Sequence, residues 1–170
     1  MIKGEQIMSD DPIKDALKMM PYGFYAIGSR TEDDNNAMVA NWVMQNSFEP
    51  RQLTFGLQKT SYTHELIEKN GVFCVNIFNK EDVEVIKPLM KGRSKNPDKM
   101  KEVAYSAAPE TGSPVLEGSA AYIECKVLRI VDTGGDHDLV VGEVVGGEVT
   151  NPGEAGDTLS LPVLGWSYAG

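Results

Sequence analysis

The stretch NAMVANWVMQNSFEP, residues 36–50, decides the fold of this chain. Over residues 37–47 the side chains alternate, so that Met38 and Trp42 lie on one face while Asn41 lies on the other. Alternation with a period of two residues predicts a β-strand. The polar face needs hydrogen-bond partners wherever it is buried. A heteroaromatic ring with several donors and acceptors would supply them, and solvent or a second subunit would do so equally well.

Strand patterns dominate the rest of the chain. Further strands are predicted over residues 22–29, 53–57, 72–78, 120–131 and 139–149, the last two as a hairpin. Helical patterns are shorter, and they are predicted after Asp11, over residues 60–69 and over residues 81–90. Consecutive strands with short turns favour antiparallel pairing, and a barrel leaves few unpaired edges. We therefore predict a mainly β fold, α+β at the margin, with two or three helices outside a small barrel and a surface loop over residues 91–101.

Length and composition fit one domain over residues 1–170. The formal net charge of −9 argues against nucleic acid or an anionic membrane as a partner, because both need a basic surface. No stretch has the length and apolarity of a signal peptide or a membrane span. Cys74 and Cys125 lie in strand-like stretches and are predicted to be buried, reduced thiols. We therefore expect a cytoplasmic protein.

A candidate phosphate site lies at residues 58–63, QKTSYT, between a strand and the start of a helix. Free N–H groups and the positive end of the helix dipole favour an anion there. The hydroxyls of Thr60, Ser61 and Thr63 would converge on the same anion, together with the ammonium group of Lys59. The same residues also fit an ordinary helix N-cap beside a solvated lysine, which is the commoner arrangement.

Most other chemistry is excluded. No dinucleotide fingerprint, phosphate loop or zinc-protease motif is present, and His64 and His137 are too few for a histidine-rich metal centre, so no metal is predicted. His137 stands in the run at residues 135–138 and would donate to a ligand there, but such runs are common in ordinary turns. Trp166 and Tyr168 offer rings for stacking, although isolated aromatic side chains more often lie in a core or an interface.

Four motifs in order carry a resemblance to a known family. They are residues 36–50, residues 62–67 followed by 73–76, residues 135–144 and, more loosely, residues 91–100. Together they resemble the flavin reductase-like family of FMN-binding split barrels, in its flavoredoxin-like branch. The resemblance covers a core of about residues 21–149, flanked by an N-terminal helix and a C-terminal tail. It implies a six-stranded antiparallel split barrel, a homodimer, and a flavin held near the dimer interface.

The resemblance also assigns roles to particular residues. The flavin ring would be bordered by Val39, Ala40, Asn41, Trp42, Asn46 and Ser47. The phosphate would be held by Lys59, Ser61, Tyr62 and Thr63. His137 would lie near the flavin or the incoming nicotinamide and is the one catalytic candidate. FMN is implied in preference to FAD, with NAD(P)H as a transient co-substrate, and the choice between NADH and NADPH stays open.

The implied function is that of a flavoprotein oxidoreductase, an NAD(P)H-dependent flavin reductase. It would pass a hydride to the flavin and electrons onward to an acceptor, with an electron-transfer protein as a further partner. An FMN-containing electron carrier without NAD(P)H activity of its own is the alternative, and a barrel that has lost its flavin is a third. On this assignment Lys59→Ala weakens FMN much more than riboflavin, and the hairpin at residues 134–138 and the aromatic tail reach a neighbouring subunit.

Overall fold

A seven-stranded antiparallel sheet forms the body of the molecule. The structure, a computed structural model, describes residues 10–169. Its strands are β1 (Tyr25–Arg30), β2 (Asn35–Ala40), β3 (Val43–Phe48), β4 (Arg51–Gln58), β5 (Val72–Ile77), β6 (Tyr105–Ala107), β7 (Pro114–Leu116), β8 (Ala121–Asp132) and β9 (His137–Val149). The strand order in the sheet is β2-β1-β5-β8-β9-β4-β3, while β6 and β7 form a separate pair. The predicted mainly β, antiparallel class is confirmed, but the sheet has seven strands instead of six and it is not closed.

The stretch that decides the fold supplies both edges of this sheet. β2 ends at Ala40 and pairs with β1, whereas β3 begins at Val43 and pairs with β4. The single strand predicted over residues 37–47 is therefore wrong, because Asn41 and Trp42 lie outside both strands and interrupt the pairing. We name these two residues the seam. A break of two residues matches the period of a strand, so the alternation continues in phase across it and does not reveal it.

Three short helices flank the sheet in the part of the chain that the structure describes: α1 (Pro12–Leu17), α2 (Tyr62–Asn70) and α3 (Val83–Ile86). The hydroxyl of Ser61 caps α2 by accepting a hydrogen bond from the N–H of His64 at 3.2 Å. The helix ends at Gly71, whose φ of 64° lies in the left-handed region that favours glycine. These two caps confirm the helix predicted over residues 60–69.

The helix predicted over residues 81–90 is divided. Around α3 the chain forms two 3-10 turns, Lys80–Asp82 and Lys87–Met90. Pro88 lies in the second turn and has no N–H to continue an α-helix. A further 3-10 turn, Lys99–Lys101, falls in the segment predicted as a surface loop.

The two larger of three apolar clusters in the described residues hold most of the elements together. In the first, Phe55 of β4 and Phe73 of β5 meet edge to face, with ring centres 5.0 Å apart. In the second, Phe24 and Phe78 pack with Leu159. The second cluster therefore ties the C-terminal part of the chain to the strands near the N-terminus.

Both cysteines are buried and free, as predicted. Burial raises the pKa of the Cys125 thiol to about 12, which leaves it in the unreactive protonated form at neutral pH. None of the helices within residues 10–169 is long and apolar enough to cross a membrane.

Candidate active site

A cavity of about 970 Å³ opens beside the seam, and we name it the seam cavity. Its lining consists of residues 24, 36, 38–42, 56, 58, 60–63, 65, 89, 90, 92–94, 99, 137, 161 and 166–168. The volume lies near the top of the range of about 300–1,000 Å³ that is usual for small-molecule sites. The lining has a basic part, which contains Arg93 and Lys99, and an aromatic part, which contains Trp42, His137 and Tyr168.

The basic part includes Arg93, which is held at the first turn of α2. Its guanidinium forms an ion pair with Asp34 at 2.9 Å and lies 4.7 Å from the centre of the Tyr62 ring. The Tyr62 hydroxyl donates to the same carboxylate at 2.6 Å. Burial alone would raise the pKa of Asp34, but the hydrogen bonds from Tyr62 and Arg93 outweigh it and lower that pKa. Because a guanidinium has five N–H donors, Arg93 retains donors for a ligand.

Lys99 lines the same part of the cavity, and it is buried without an acidic partner. Only 1% of the residue is exposed, and its side chain forms no ion pair or hydrogen bond with residues 10–169. Burial, reinforced by the positive charge of Arg93, lowers the pKa of Lys99 to about 8. A buried charge is costly unless it is paired. An anion in the cavity would remove that cost.

Asn36 adds an unused acceptor beside α2. Its Nδ2 donates to the Thr63 hydroxyl at 2.8 Å, whereas its buried Oδ1 has no hydrogen-bond partner in the described part of the chain. Leaving a buried oxygen unsatisfied costs about 1–3 kcal/mol. A hydroxyl or N–H group of a ligand in the cavity would satisfy it.

The aromatic part is built around Trp42 of the seam. The Trp42 ring lies 5.0 Å from the His137 ring and 5.6 Å from the Tyr168 ring, edge to face in both cases. Gly56 of β4 makes room for it, because a Cβ there would lie 2.9 Å from Cε3 of Trp42. The N–H of Gly56 also donates to the Trp42 carbonyl at 3.0 Å. Rings at these spacings leave a surface suited to a planar aromatic ligand.

Residues 17–165 match the family model of the flavin reductase like domain, which covers most of the chain. The chain belongs to this flavin reductase family. The resemblance drawn from the four motifs is therefore confirmed.

Relatives and solved structures agree with this assignment. The reductase subunit HsaB of a flavin-dependent monooxygenase from Mycobacterium tuberculosis is 40% identical over 98 residues, which are 58% of this chain and 50% of HsaB. Diflavin flavoprotein A 1 from Synechocystis is 28% identical over 141 residues, which are 82% of this chain and 24% of that protein. The chain therefore spans half or less of the length of these relatives.

Among solved structures, a homologue of nitrilotriacetate monooxygenase component B from Mycobacterium thermoresistibile has a TM-score of 0.75 and 26% identity, covering 87% of this chain and 84% of that one. An FMN-binding protein from Thermus thermophilus has a TM-score of 0.73 and 26% identity, covering 84% of this chain and 80% of that one. The NADH:FAD oxidoreductase SgcE6 of Streptomyces globisporus, in complex with NAD and FAD fragments, shares the fold at a TM-score of 0.73 and 20% identity, covering 81% of both chains.

The seam cavity brings together most of the flavin-site residues that the family resemblance predicts. It is lined by Val39, Ala40, Asn41, Trp42, Ser61, Tyr62, Thr63 and His137. It is not lined by Asn46, Ser47 or Lys59. Asn46 is instead within hydrogen-bond distance of Gln52 and Thr54 on β4.

Lys59 belongs to a separate charged network between α2 and the β8–β9 hairpin. Its Nζ lies 2.6 Å from Asp132 and 3.6 Å from Asp138, and the hydrogen bond to Asp132 raises its pKa. The other oxygen of Asp138 lies 2.8 Å from Nε2 of the buried His64. This network ties the start of α2 to the hairpin strand that carries His137. In this position Lys59 holds two protein carboxylates and does not face the cavity.

Sequence reasoning missed the two cations of the basic part. The surface loop predicted over residues 91–101 is wrong for Lys99, because the 3-10 turn that contains Lys99 packs against the body of the protein. Met100 and Val103 pack against the second apolar cluster, and Lys99 is buried with them. Two apolar side chains after a basic run were the available signal that this segment returns to the core.

Proposed function

We propose that the chain binds FMN in the seam cavity and transfers a hydride from NAD(P)H to it, the electrons then passing to an acceptor. The observation that carries the proposal is Lys99, a buried lysine that lines the cavity and has no acidic partner among residues 10–169. It shares the cavity with Arg93 and the first turn of α2. A phosphate group suits all three, because it accepts charge-assisted hydrogen bonds and is favoured at a helix N-terminus.

The rest of the cavity fits the other parts of FMN. The unsatisfied Oδ1 of Asn36 would accept a hydrogen bond from a polar chain attached to the phosphate. Trp42, His137 and Tyr168 offer ring surfaces for a planar heteroaromatic group. A volume of about 970 Å³ leaves room for a second ring beside it. One cluster of cations favours one phosphate, so we propose FMN in preference to FAD.

In this proposal the chain binds and orients, and the bound flavin supplies the hydride chemistry. Lys99 and Arg93 fix the phosphate, and the seam fixes the plane of the ring. His137 has Nδ1 beside the Asp136 carboxylate at 2.9 Å, which leaves Nε2 for a ligand such as the nicotinamide. No side chain has to act as an acid or base toward the substrate. HsaB is the reductase subunit of a monooxygenase, and this supports a protein partner as the electron acceptor.

Absorbance and rapid kinetics test the proposal. We expect the purified chain to carry, or to acquire on addition of FMN, a visible flavin spectrum. Stopped-flow mixing with NADH and with NADPH should bleach that spectrum within seconds for at least one of them. A flavin-loaded chain that is reduced by a protein donor alone would instead be the FMN electron carrier. A chain that never acquires the flavin spectrum would contradict both functions.

We also propose a homodimer. Met44, Phe48 and Val149 lie on β3 and β9 with 62%, 86% and 64% of each residue exposed. Exposed apolar side chains on a sheet favour an interface with a second copy, and two-fold pairing is the commonest assembly. Light scattering should give twice the chain mass of 18.6 kDa. A flavin-loaded species at the mass of one chain would contradict it.

The cytoplasmic location stays a prediction. Its support is the pair of buried, free thiols Cys74 and Cys125, because disulfides form in oxidising compartments. Fractionation of the native cells, with immunodetection of the chain, tests it. Recovery with the envelope or the secreted material would contradict it.

A further inference from the structure

The C-terminal segment, residues 159–169, is anchored at its start. Leu159 and Leu161 are buried. The N–H of Leu159 donates to the Phe78 carbonyl at 2.8 Å, and the N–H of Leu161 donates to the Tyr22 carbonyl at 2.9 Å. These bonds fix the first residues of the segment beside the sheet.

A tight turn then redirects the chain toward the seam cavity. The N–H of Trp166 donates to the Leu161 carbonyl at 2.8 Å, and that of Gly165 donates to the Pro162 carbonyl at 3.1 Å. Gly165 has a φ of 69°, which glycine adopts without the steric cost that other residues meet. Residues 166–168 consequently line the cavity.

The tip of the segment is held by ring contacts. Trp166 meets Phe24 edge to face at 5.8 Å, and Tyr168 meets Trp42 edge to face at 5.6 Å. Trp166 is 48% exposed and Tyr168 is 40% exposed. Each such contact changes an equilibrium constant by about twofold to tenfold beyond the effect of area. A tip held in this way can open while the anchored start stays in place.

We infer that Tyr168 is a flavin-retention residue of the seam cavity: with Trp42 it closes the aromatic part around a planar ring and sets how long that ring stays bound. The inference rests on the proposed flavin site and goes beyond it, since it decides whether the flavin is retained between turnovers or exchanged. Trp42 and His137 stand on or beside sheet strands, whereas Tyr168 stands on the segment whose tip can move. Dissociation of the ring therefore depends on Tyr168 and not on opening of the sheet.

Dissociation kinetics of two flavins test this role in the full chain. Wild type, Tyr168→Ala and Tyr168→Phe are loaded with FMN or with riboflavin, and release is followed by flavin fluorescence after dilution. We expect Tyr168→Ala to raise the dissociation rate about fivefold to tenfold for both flavins, because both carry the same ring. Tyr168→Phe keeps the ring contact and should stay within about twofold of wild type.

The outcomes separate this inference from the proposed function. A wild-type chain that binds neither flavin overturns both. Wild-type binding with unchanged rates in Tyr168→Ala overturns the inference alone, and so does slower release, which would mean that Tyr168 occupies the place of the ring. A faster release of FMN without a faster release of riboflavin also overturns the inference, because it would mean that Tyr168 contacts the phosphate and not the ring. Should Tyr168→Ala fail to match the circular dichroism of wild type, Tyr168→Leu replaces it, with the same expected rates.

Discussion

Replacing Lys99 by methionine would separate the contribution of the flavin phosphate from that of the flavin ring. Methionine keeps an unbranched apolar chain in the buried position and removes the ammonium group. A charge-assisted hydrogen bond contributes about 1.5–3 kcal/mol, so Lys99→Met should raise the Kd of FMN about 10- to 150-fold. Riboflavin has no phosphate, and its Kd should change by less than about twofold.

Lys59→Met is the matched control. The family resemblance assigns the phosphate to Lys59, whereas the structure places its Nζ 2.6 Å from Asp132 and outside the lining of the cavity. Loss of this lysine should loosen the hairpin that carries His137. We therefore expect a small change in Kd, of the same factor for FMN and riboflavin.

Calorimetric titration of both variants with both flavins at pH 7 provides the measurement. A loss selective for FMN in Lys59→Met, with none in Lys99→Met, would refute our placement of the phosphate. An equal loss for both flavins in Lys99→Met would refute it as well, because a phosphate contact cannot act on riboflavin.

The flavin-free Lys99→Met variant should also be more stable than wild type. A lysine whose pKa is lowered to about 8 binds its proton more weakly in the folded chain than in the unfolded chain. It therefore destabilises the fold below pH 8, and this penalty declines as the pH rises from about 8 toward the ordinary pKa of lysine, 10.5. Allowing for screening by water in the cavity, the penalty is about 1–3 kcal/mol at pH 7. Urea unfolding at pH 7 measures it, and a destabilised variant would contradict the argument.

Three further outcomes are expected. The Kd of FMN, but not of riboflavin, should rise by up to about tenfold per pH unit above pH 8 as Lys99 loses its proton, and Lys99→Arg should abolish this dependence in titrations. Asp138→Ala removes the carboxylate that lies 2.8 Å from Nε2 of the buried His64 and should lower the free energy of unfolding by about 1–3 kcal/mol; an unchanged urea midpoint would show that this contact does not hold α2 to the hairpin. Gly56→Ala should displace the Trp42 ring, shift its fluorescence and weaken both flavins alike, and an unaltered emission spectrum would contradict the contact.

Local patterns predict most of the sheet strands, but neither the break within residues 37–47 nor the short pair β6 and β7. Leu53, Phe55 and Leu57 alternate, and all three are buried in β4, because one face of that strand packs on the core. The sequence pattern does not reveal the break at the seam, because a break of two residues preserves the phase of the alternation. Which edge each half joins is a long-range property of the sheet.

The sequence predicts the residues of the candidate cavity whose position depends on main-chain geometry. It does not predict those whose position depends on side-chain packing. Ser61 caps α2 and lines the cavity because a helix start needs that cap. Lys59, two residues earlier, is an equally reasonable phosphate candidate from the sequence alone. In the structure its ammonium group pairs with Asp132 and Asp138 of the β8–β9 hairpin, which are more than seventy residues further along the chain. Lys99 enters the cavity because its partly buried neighbours Met100 and Val103 pack against the second apolar cluster, which a count of local charges does not reveal.

The seam limits how this chain can change in length. Connections between strands usually tolerate inserted residues. A residue added between Ala40 and Val43, however, would enter the two-residue connection that places Trp42 against His137 and Tyr168, and it would displace that ring while the β3–β4 turn keeps β3 in register. The exposed turn at residues 133–136 joins two strands that already pair with each other, so added residues there leave both registers intact. Peptide tags, and natural length variants, should therefore be accommodated at the hairpin tip and rejected at the seam.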